Sequence, residues 1–446
     1  MTAQSARERT LAPATRSDVA AALAVFGMVV SLGLTVVSEY RLATGPSGLL
    51  TMASALCAVA GSYLSLVLLA LAARIPALES ALGQDRLIAV HRQVGPWAVY
   101  LVAAHVVLIT ASRSLDAARN AFAELWTMIT TEPWILAATV GVLLMCAFGV
   151  SSWWRVRSRM ARGSWWTLHL YAYLAIALAF AHQIVSGGPF IQGWGRVWWV
   201  ALYVLAFGAI LVWRVLAPVV RSLRHDLRVA RVVREGQGVS SVWISGSHLD
   251  RWGTRPGQFL TLRFVSAGLL WEGHPYSLSA PVRDGMLRIT VKALGDASTR
   301  TQAVEVGTRV LVEGPYGVMT ADRCVGDHAV LVGAGIGVAP LRAIAEGLVA
   351  RRKRVDLLLR SHSDRDVLFR EELTDLASLP GVRVHLLVGP RRLQPLDAAH
   401  LRSRVPDIAT ADFFACGPEP LLERLETEAH RLGIPPQRTH IERFAL

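Results

Sequence analysis

Four histidines are the only ones in the first 220 residues of this 446-residue chain: His91, His105, His169 and His182. They fall two and two in long apolar stretches. An ionisable side chain buried there is costly without a partner. One such residue is readily explained as an interhelical hydrogen bond; four in pairs call for a shared reason. Neutral imidazole is the usual axial ligand of a low-spin haem iron, and a six-coordinate iron needs two. His91 and His105 are 14 residues apart, about 21 Å along a helix and on one face. His169 and His182 are 13 apart, about 19.5 Å. Two helices so marked would hold two b-type haems one above the other, His91 pairing with His169 and His105 with His182. An ideal helix puts residues 13 apart on different faces, so the later helix must bend, tighten locally or present one ligand obliquely.

A second constellation lies far along the chain. An apolar strand over His328–Val332 leads into Gly333-Ala334-Gly335-Ile336-Gly337-Val338-Ala339-Pro340, and Leu341–Arg351 reads as a helix. Glycines at such a strand–helix junction let the backbone approach a pyrophosphate at the helix N terminus. Further strand–helix units follow at Val355–Leu359, Val382–Val388 and Asp412–Ala415, the last ending in Cys416-Gly417-Pro418. Arg360 ends the second strand and Arg365 is near, where an NAD-selective site would show an acidic residue. That favours NADPH over NADH, unless both arginines simply face solvent. Between the two constellations, short strands at Leu227–Val233, Ser241–Ile244, Gln258–Phe264, Met286–Val291 and Val310–Val312 suggest a small antiparallel barrel. On it lies His274-Pro275-Tyr276-Ser277-Leu278-Ser279, whose aromatic ring and hydroxyl suit an isoalloxazine.

The elements that must position these residues differ sharply between the two halves. Hydrophobic residues make up 53% of the chain, with a mean hydropathy of +0.39, too apolar for an ordinary soluble enzyme. Six segments approach the roughly 20 apolar residues that cross a bilayer: Val19–Val37, Leu49–Ala73, Val94–Ala111, Pro133–Trp154, Trp165–Ser186 and Val197–Trp213. The first is too long in its apolar core for a cleavable signal. Segments 1–16, 74–92 and 155–162 carry arginines 7, 9, 16, 74, 86, 92, 155, 157, 159 and 162; the other side has only Arg41, Arg113, Arg119 and Arg196. The positive-inside rule then puts the N terminus and everything after Trp213 in the cytoplasm, with the chain a multi-pass protein of the plasma membrane. The net charge of +13 is read as a membrane-surface feature, not as nucleic-acid binding. Cys57, Cys146, Cys324 and Cys416 form no CxxC pair, which excludes a disulfide framework, a zinc ribbon and a locally spaced iron–sulfur cluster.

Taken together, these residues resemble the NADPH oxidase and ferric reductase family over nearly the whole chain. The resemblance implies a six-span α-helical membrane domain (1–220), an antiparallel β-barrel FAD domain (221–325) and an α/β Rossmann-like NAD(P)H domain (326–446). It makes His91, His105, His169 and His182 the haem ligands. His274, Pro275, Tyr276 and Ser277 resemble the flavin-ring segment. Gly295-Asp296-Ala297-Ser298-Thr299 resembles the FAD pyrophosphate segment, with Lys292 just before it also expected to bind cofactor. Glu313-Gly314-Pro315-Tyr316-Gly317 is similar to the turn closing the barrel. Gly333, Gly335, Gly337, Pro340, Cys416, Gly417 and Pro418 match the nicotinamide-nucleotide motifs, joined by Arg360 and Arg365. Tyr276, Ser277, Cys416 and Phe444 are the implied residues of the hydride-transfer centre, Phe444 through the C-terminal aromatic that covers the flavin.

The chain departs from the family's oxygen-reducing animal members. They carry an arginine in the outer half of span two and a further histidine beyond the outer ligand of span three. Here no charge lies between Ala43 and Ala73, and position 109 is Ile109. Ala175 replaces an inter-haem aromatic, with Tyr171, Tyr173 and Trp97 as substitutes. The expected activity is transfer of electrons from cytoplasmic NADPH, with NADH the alternative, through FAD and two haems to oxygen or a ferric chelate outside. A dedicated extracytoplasmic protein acceptor and a haem carrier are the alternatives.

Overall fold

The computed structural model describes residues 13–132, 134–160, 162–270 and 273–443. The chain divides into two compact units, Met1–Arg214 and Val215–Leu446.

Among the described residues six helices are long and apolar enough to cross a membrane: Arg16–Glu39, Gly45–Ala72, Arg86–Ala117, Ile135–Ser152, Gly163–Ser186 and Gly193–His225, the first five within the first unit and the sixth running past its end at Arg214. Helix is the form these sequences must take in lipid, because only helices and closed barrels satisfy every backbone polar group there. The third helix runs over Gln84–Ala117 with Pro96 inside it. It therefore starts well before the expected Val94 and includes His91. The fifth helix, Arg162–Ser186, is unbroken past both of its histidines. The sixth passes from Gly193–Ile210 through a π-helical stretch, Leu211–Leu216, into Ala217–His225.

Small residues bring these helices close. A Cβ on Gly61 would stand 3.1 Å from the Ala98 carbonyl oxygen, and one on Gly141 2.9 Å from that of Ala175. Side chains such as Leu23, Val107 and Val204 point outward, while Val59, Tyr63, Leu66, Ile176, Phe190, Trp199 and Tyr203 form the interior. One polar cluster inside is fully paired, as lipid favours. Trp199 Nε1 and Tyr203 Oη donate to Gln183 Oε1 at 2.7 and 2.9 Å, and Gln183 Nε2 donates to Ser62 Oγ at 3.0 Å.

The second unit begins with six strands: β1 (Arg228–Gly236), β2 (Val239–Ser245), β3 (Phe259–Phe264), β4 (His274–Ser277), β5 (Met286–Lys292) and β6 (Val310–Tyr316). They form two antiparallel sheets, ordered β1-β2-β5 and β4-β3-β6. Isolated bridges, Leu278 to Ile289 and Arg228 to Arg309, link the sheets along both edges. One core, including Val242, Ile244, Leu260, Leu262, Leu287, Ile289 and Val312, fills the space between them.

Next come β7 (His328–Ala334), β8 (Arg354–Ser361), β9 (Val382–Val388), β10 (Asp412–Gly417) and β11 (Thr439–Arg443). They make a parallel sheet ordered β11-β10-β7-β8-β9. Continuous apolar runs such as Ala329-Val330-Leu331-Val332 suit a sheet buried on both faces, and each face has its own apolar core. At the edge opposite the glycine loop, fully buried Asp356 accepts from Arg383 Nη2 at 2.8 Å and meets His328 Nε2 at 2.8 Å and His385 Nε2 at 3.0 Å. Burial alone would raise the Asp356 pKa, but these three partners outweigh it and hold the carboxyl far below the usual carboxylate range.

The β1–β6 and β7–β11 halves are clamped together by charge. Buried Arg288 on β5 donates to both Glu372 oxygens at 2.7 and 3.0 Å, on the helix after β8. Arg342, on the helix after the glycine loop, pairs with the same Glu372 and donates to the Ser279 carbonyl at 2.8 Å.

Candidate functional site

In the membrane unit, helix geometry brings His91 and His169 together. The rings of His91 and His169 have centroids 6.1 Å apart, at 61° to each other. Metal–imidazole bonds of about 2 Å on opposite sides of one iron would set the centroids about 6 Å apart. The pair therefore fits an axial-ligand arrangement. Two imidazoles are too few for a metal held by protein alone, and are the number a porphyrin leaves open. His182 lies within electrostatic reach of His105.

Span two orients the histidines of span three. The Leu68 backbone lies close to His91. His105 Nδ1 lies 2.8 Å from Ser54 Oγ and 3.2 Å from the Ser54 carbonyl. The Ser54 hydroxyl has one proton, and it goes to the His105 carbonyl at 3.1 Å. Nδ1 must then carry its own hydrogen, leaving the Nε2 lone pair for a metal. Leu68 and Ser54 are 14 residues apart, the same step as His91 to His105. On span five, Nδ1 of His169 and of His182 is buried without a hydrogen-bond partner among the described residues. The His169 ring is packed instead, stacked on Trp165 at 5.1 Å and edge-on to Phe148 at 5.7 Å.

In the soluble unit, β4 lies against β3, opposing Tyr276 to Leu260 and Ser277 to Phe259. Tyr276 Oη is 3.1 Å from Thr301 Oγ1, which lies on the short helix Asp296–Gln302. That bond ties the proposed ring segment to the Gly295–Thr299 segment. Burial raises the Tyr276 pKa, the Thr301 hydrogen bond opposing it. Ser298 Oγ accepts from the backbone N–H of Leu294 and Gly295 at 2.8 and 3.0 Å, so its hydroxyl shapes the turn. Lys292 ends β5 with its side chain exposed. Gly314 has φ +116°, and a Cβ there would press on Leu260 and the Phe259 carbonyl.

The glycine loop and the Cys416-Gly417-Pro418 turn meet directly. Gly333 opposes Cys416 in the parallel ladder, and a Cβ on Gly337 would overlap the Cys416 carbonyl. Gly335 has φ +57°, and Pro340 is buried in the first turn of the following helix. Burial pushes the Cys416 thiol well above its ordinary pKa, with Glu442 adding to the effect. Burial of this kind disfavours the thiolate at Cys416. β11 places Glu442 beside Cys416, and Glu442 Oε1 lies 3.3 Å from a Cβ built on Gly317. Phe444 lies outside the described residues. Arg360 sits at the end of β8 opposite Ala334. Burial and the nearby cations Arg391 and Arg424 lower its pKa, which marks a cationic cluster beside the loop. Arg365 lies on the separate turn Asp364–Asp366.

Residues 57–180 match the family model for the ferric reductase like transmembrane component, and residues 228–320 match that of an FAD-binding domain. The chain has the NADPH oxidase and ferric reductase architecture. It is also similar to curated reductases through its soluble unit. It is 33% identical over 195 residues to the ferredoxin reductase component of 3-ketosteroid-9-alpha-monooxygenase from Mycobacterium tuberculosis, covering 42% of this chain and 54% of that one. An NADPH oxidoreductase of the same organism is 31% identical over 230 residues, 49% of this chain and 60% of that one. The glycine betaine monooxygenase reductase subunit of Chromohalobacter salexigens is 26% identical over 237 residues, 50% of this chain and 64% of that one. The chain thus spans between about half and two thirds of the length of these relatives.

The chain therefore joins six apolar helices and a ferric-reductase-like transmembrane domain to an FAD-binding β domain and an α/β nucleotide-binding domain. Several contributors to its site lie outside any motif. Thr301, Ser54, Leu68, Trp165, Arg391 and Arg424 have ordinary residue types at ordinary positions, and only folding brings them to the motif residues. Sequence offered one usable signal among them, the Trp165-Trp166 pair four and three residues ahead of His169.

Proposed function

We propose that this protein takes electrons from NADPH on the cytoplasmic side and delivers them to a small acceptor, oxygen or a ferric chelate, on the outer side of the plasma membrane. Bound FAD and two b-type haems supply the chemistry, two-electron acceptance from the nicotinamide and one-electron steps across the bilayer. The chain's residues bind and orient. Gly333, Gly335 and Gly337 open the helix end to the dinucleotide phosphates, and Cys416-Gly417-Pro418 borders the same pocket. Arg360, with Arg391 and Arg424, offers positive charge where a 2′-phosphate would lie. Tyr276 and Ser277 present ring and hydroxyl to the flavin, and Gly295, Asp296, Ser298 and Thr299 with Lys292 serve its pyrophosphate. The Arg288–Glu372–Arg342 clamp holds the flavin and nucleotide halves in register.

The observation that carries this reading is the His91–His169 pair at 6.1 Å, with His105 and His182 further along the same helices. The test is anaerobic NADPH oxidation by purified protein loaded with FAD and haem, followed in the haem bands. Haem reduction without oxygen, and reoxidation on adding oxygen or ferric citrate, is expected. NADPH consumption with the haems left oxidised would sink the relay.

A second acceptor is supported by the relatives. Two of them are named as the reductase subunit or component of a monooxygenase, and span two lacks the outer charge of oxygen-reducing members. A dedicated extracytoplasmic protein would then take the electrons, and steady NADPH oxidation would require it.

A further inference from the structure

The link between spans four and five reads Trp153-Trp154-Arg155-Val156-Arg157-Ser158-Arg159-Met160-Ala161-Arg162-Gly163-Ser164-Trp165-Trp166, arginines bracketed by tryptophan pairs. Spans ending at Ser152 and starting at Gly163 hold this link at the membrane surface. Trp153, Trp154 and Trp166 are 52%, 68% and 46% exposed, as suits indoles at headgroup depth. Counter-charge is missing locally. The sequence has no Asp or Glu between Glu132 and Asp226. Among the described residues no ion pair involves Arg155, Arg157 or Arg159. Two of these cations rest on indoles instead: Arg155 lies 5.5 Å from the Trp153 ring and 5.1 Å from Trp154, and Arg157 4.5 Å from Trp165, while Arg157 Nη1 also donates to the Met160 carbonyl at 3.4 Å. Trp165 in turn stacks on His169 at 5.1 Å and 22°.

We propose that this link is a binding site for anionic phospholipid headgroups, and that the Arg157–Trp165–His169 stack reports its occupancy to the inner haem position. The second part rests on the haem reading above. Guanidinium forks match phosphate oxygens, and juxtamembrane arginines gain appreciable affinity for an anionic surface. An uncompensated Arg157 cation favours the electron-rich state of a redox group held by His169. A lipid phosphate paired with that cation removes the bias, so headgroup binding lowers the midpoint potential of the inner haem and leaves the outer one unchanged.

The test uses the full chain in nanodiscs of phosphatidylcholine, alone or mixed with phosphatidylglycerol. Retained lipid is measured by native mass spectrometry and haem potentials by spectroelectrochemistry. Phosphatidylglycerol should be enriched on the protein. The triple variant Arg155→Gln, Arg157→Gln, Arg159→Gln should lose that enrichment by about fivefold per arginine, and the corresponding triple lysine variant should keep most of it. Trp165→Leu should keep the enrichment and lose the lipid-dependent potential shift. Equal enrichment on wild type and glutamine variant overturns the site. Enrichment with identical haem potentials in both discs overturns the coupling, and the same shift produced by sodium phosphate in phosphatidylcholine discs overturns the assignment to lipid. Failure of the haem reading is separate: wild-type protein would show no b-type spectrum while the lipid comparison still decides the site.

Discussion

On the function proposed above, the membrane unit would build its cofactor positions from side chains, whereas the second unit would build much of its own from backbone. In a bilayer the helix consumes every backbone N–H and C=O, so His91, His105, His169 and His182 would have to do the binding themselves. In the nucleotide half the backbone would be the ligand: Gly333, Gly335 and Gly337 would matter for the side chains they lack. An unusual residue in an apolar helix is conspicuous in sequence, and an absent side chain is conspicuous only when strand and helix flank it. The two sites should therefore fail in different ways.

The largest effect should come from the membrane ligands. His91→Ala or His169→Ala is expected to remove one haem of two, and His105→Ala or His182→Ala the other, as read by haem-to-protein stoichiometry. FAD content should be unchanged, and the quadruple variant should lack a b-type spectrum. Full haem in any single variant would break the pairing.

Next is Asp356, a buried carboxylate held by three partners in the β7–β11 half. Removing one partner from a buried charge cluster costs about 3 kcal/mol or more, so Asp356→Asn should lower the midpoint of thermal FAD release at neutral pH. The folded carboxyl titrates below its unfolded value of about 4. Its stabilisation is therefore fully present above that pH and is lost as pH falls below it. The gap between wild type and variant should narrow in acid and hold constant from pH 5 upward.

A smaller, local effect is expected where backbone is the ligand. Gly337→Ala forces a methyl into the Cys416 carbonyl, and overpacking of that kind costs about 1–3 kcal/mol. NADPH-driven flavin reduction should fall about tenfold to a hundredfold in stopped flow, with haem content untouched. Arg360→Ala tests charge in place of shape. A hydrogen bond to a charged group contributes about 1.5–3 kcal/mol, so the NADPH KM should rise about tenfold or more while the NADH KM barely moves. Equal changes for both nucleotides would place the 2′-phosphate elsewhere.

Much of this was legible before folding. Apolar length specified the six spans, because a bilayer sets how many residues a helix needs. The glycine loop and Cys416-Gly417-Pro418 announced a nucleotide site, because close phosphate approach excludes side chains. The start of the third helix was read too late, at Val94, since Arg86, His91 and Arg92 interrupt the hydropathy of a helix that continues on backbone hydrogen bonds. β4 was legible as a motif but not as a strand, because Pro275 and polar neighbours mask a segment whose place is set by its partner β3.

The sequence by itself determined which residues could ligate metal or admit phosphate, for those properties belong to side-chain chemistry and to periodicity along one element. Tertiary structure decided which groups surround them. Ser54 orients His105 across 51 positions of chain, Thr301 reaches Tyr276 across 25, and Glu372 joins Arg288 across 84. Such partners need only be polar and close. Closeness between residues far apart in sequence is set by how helices and sheets pack, which no local pattern records.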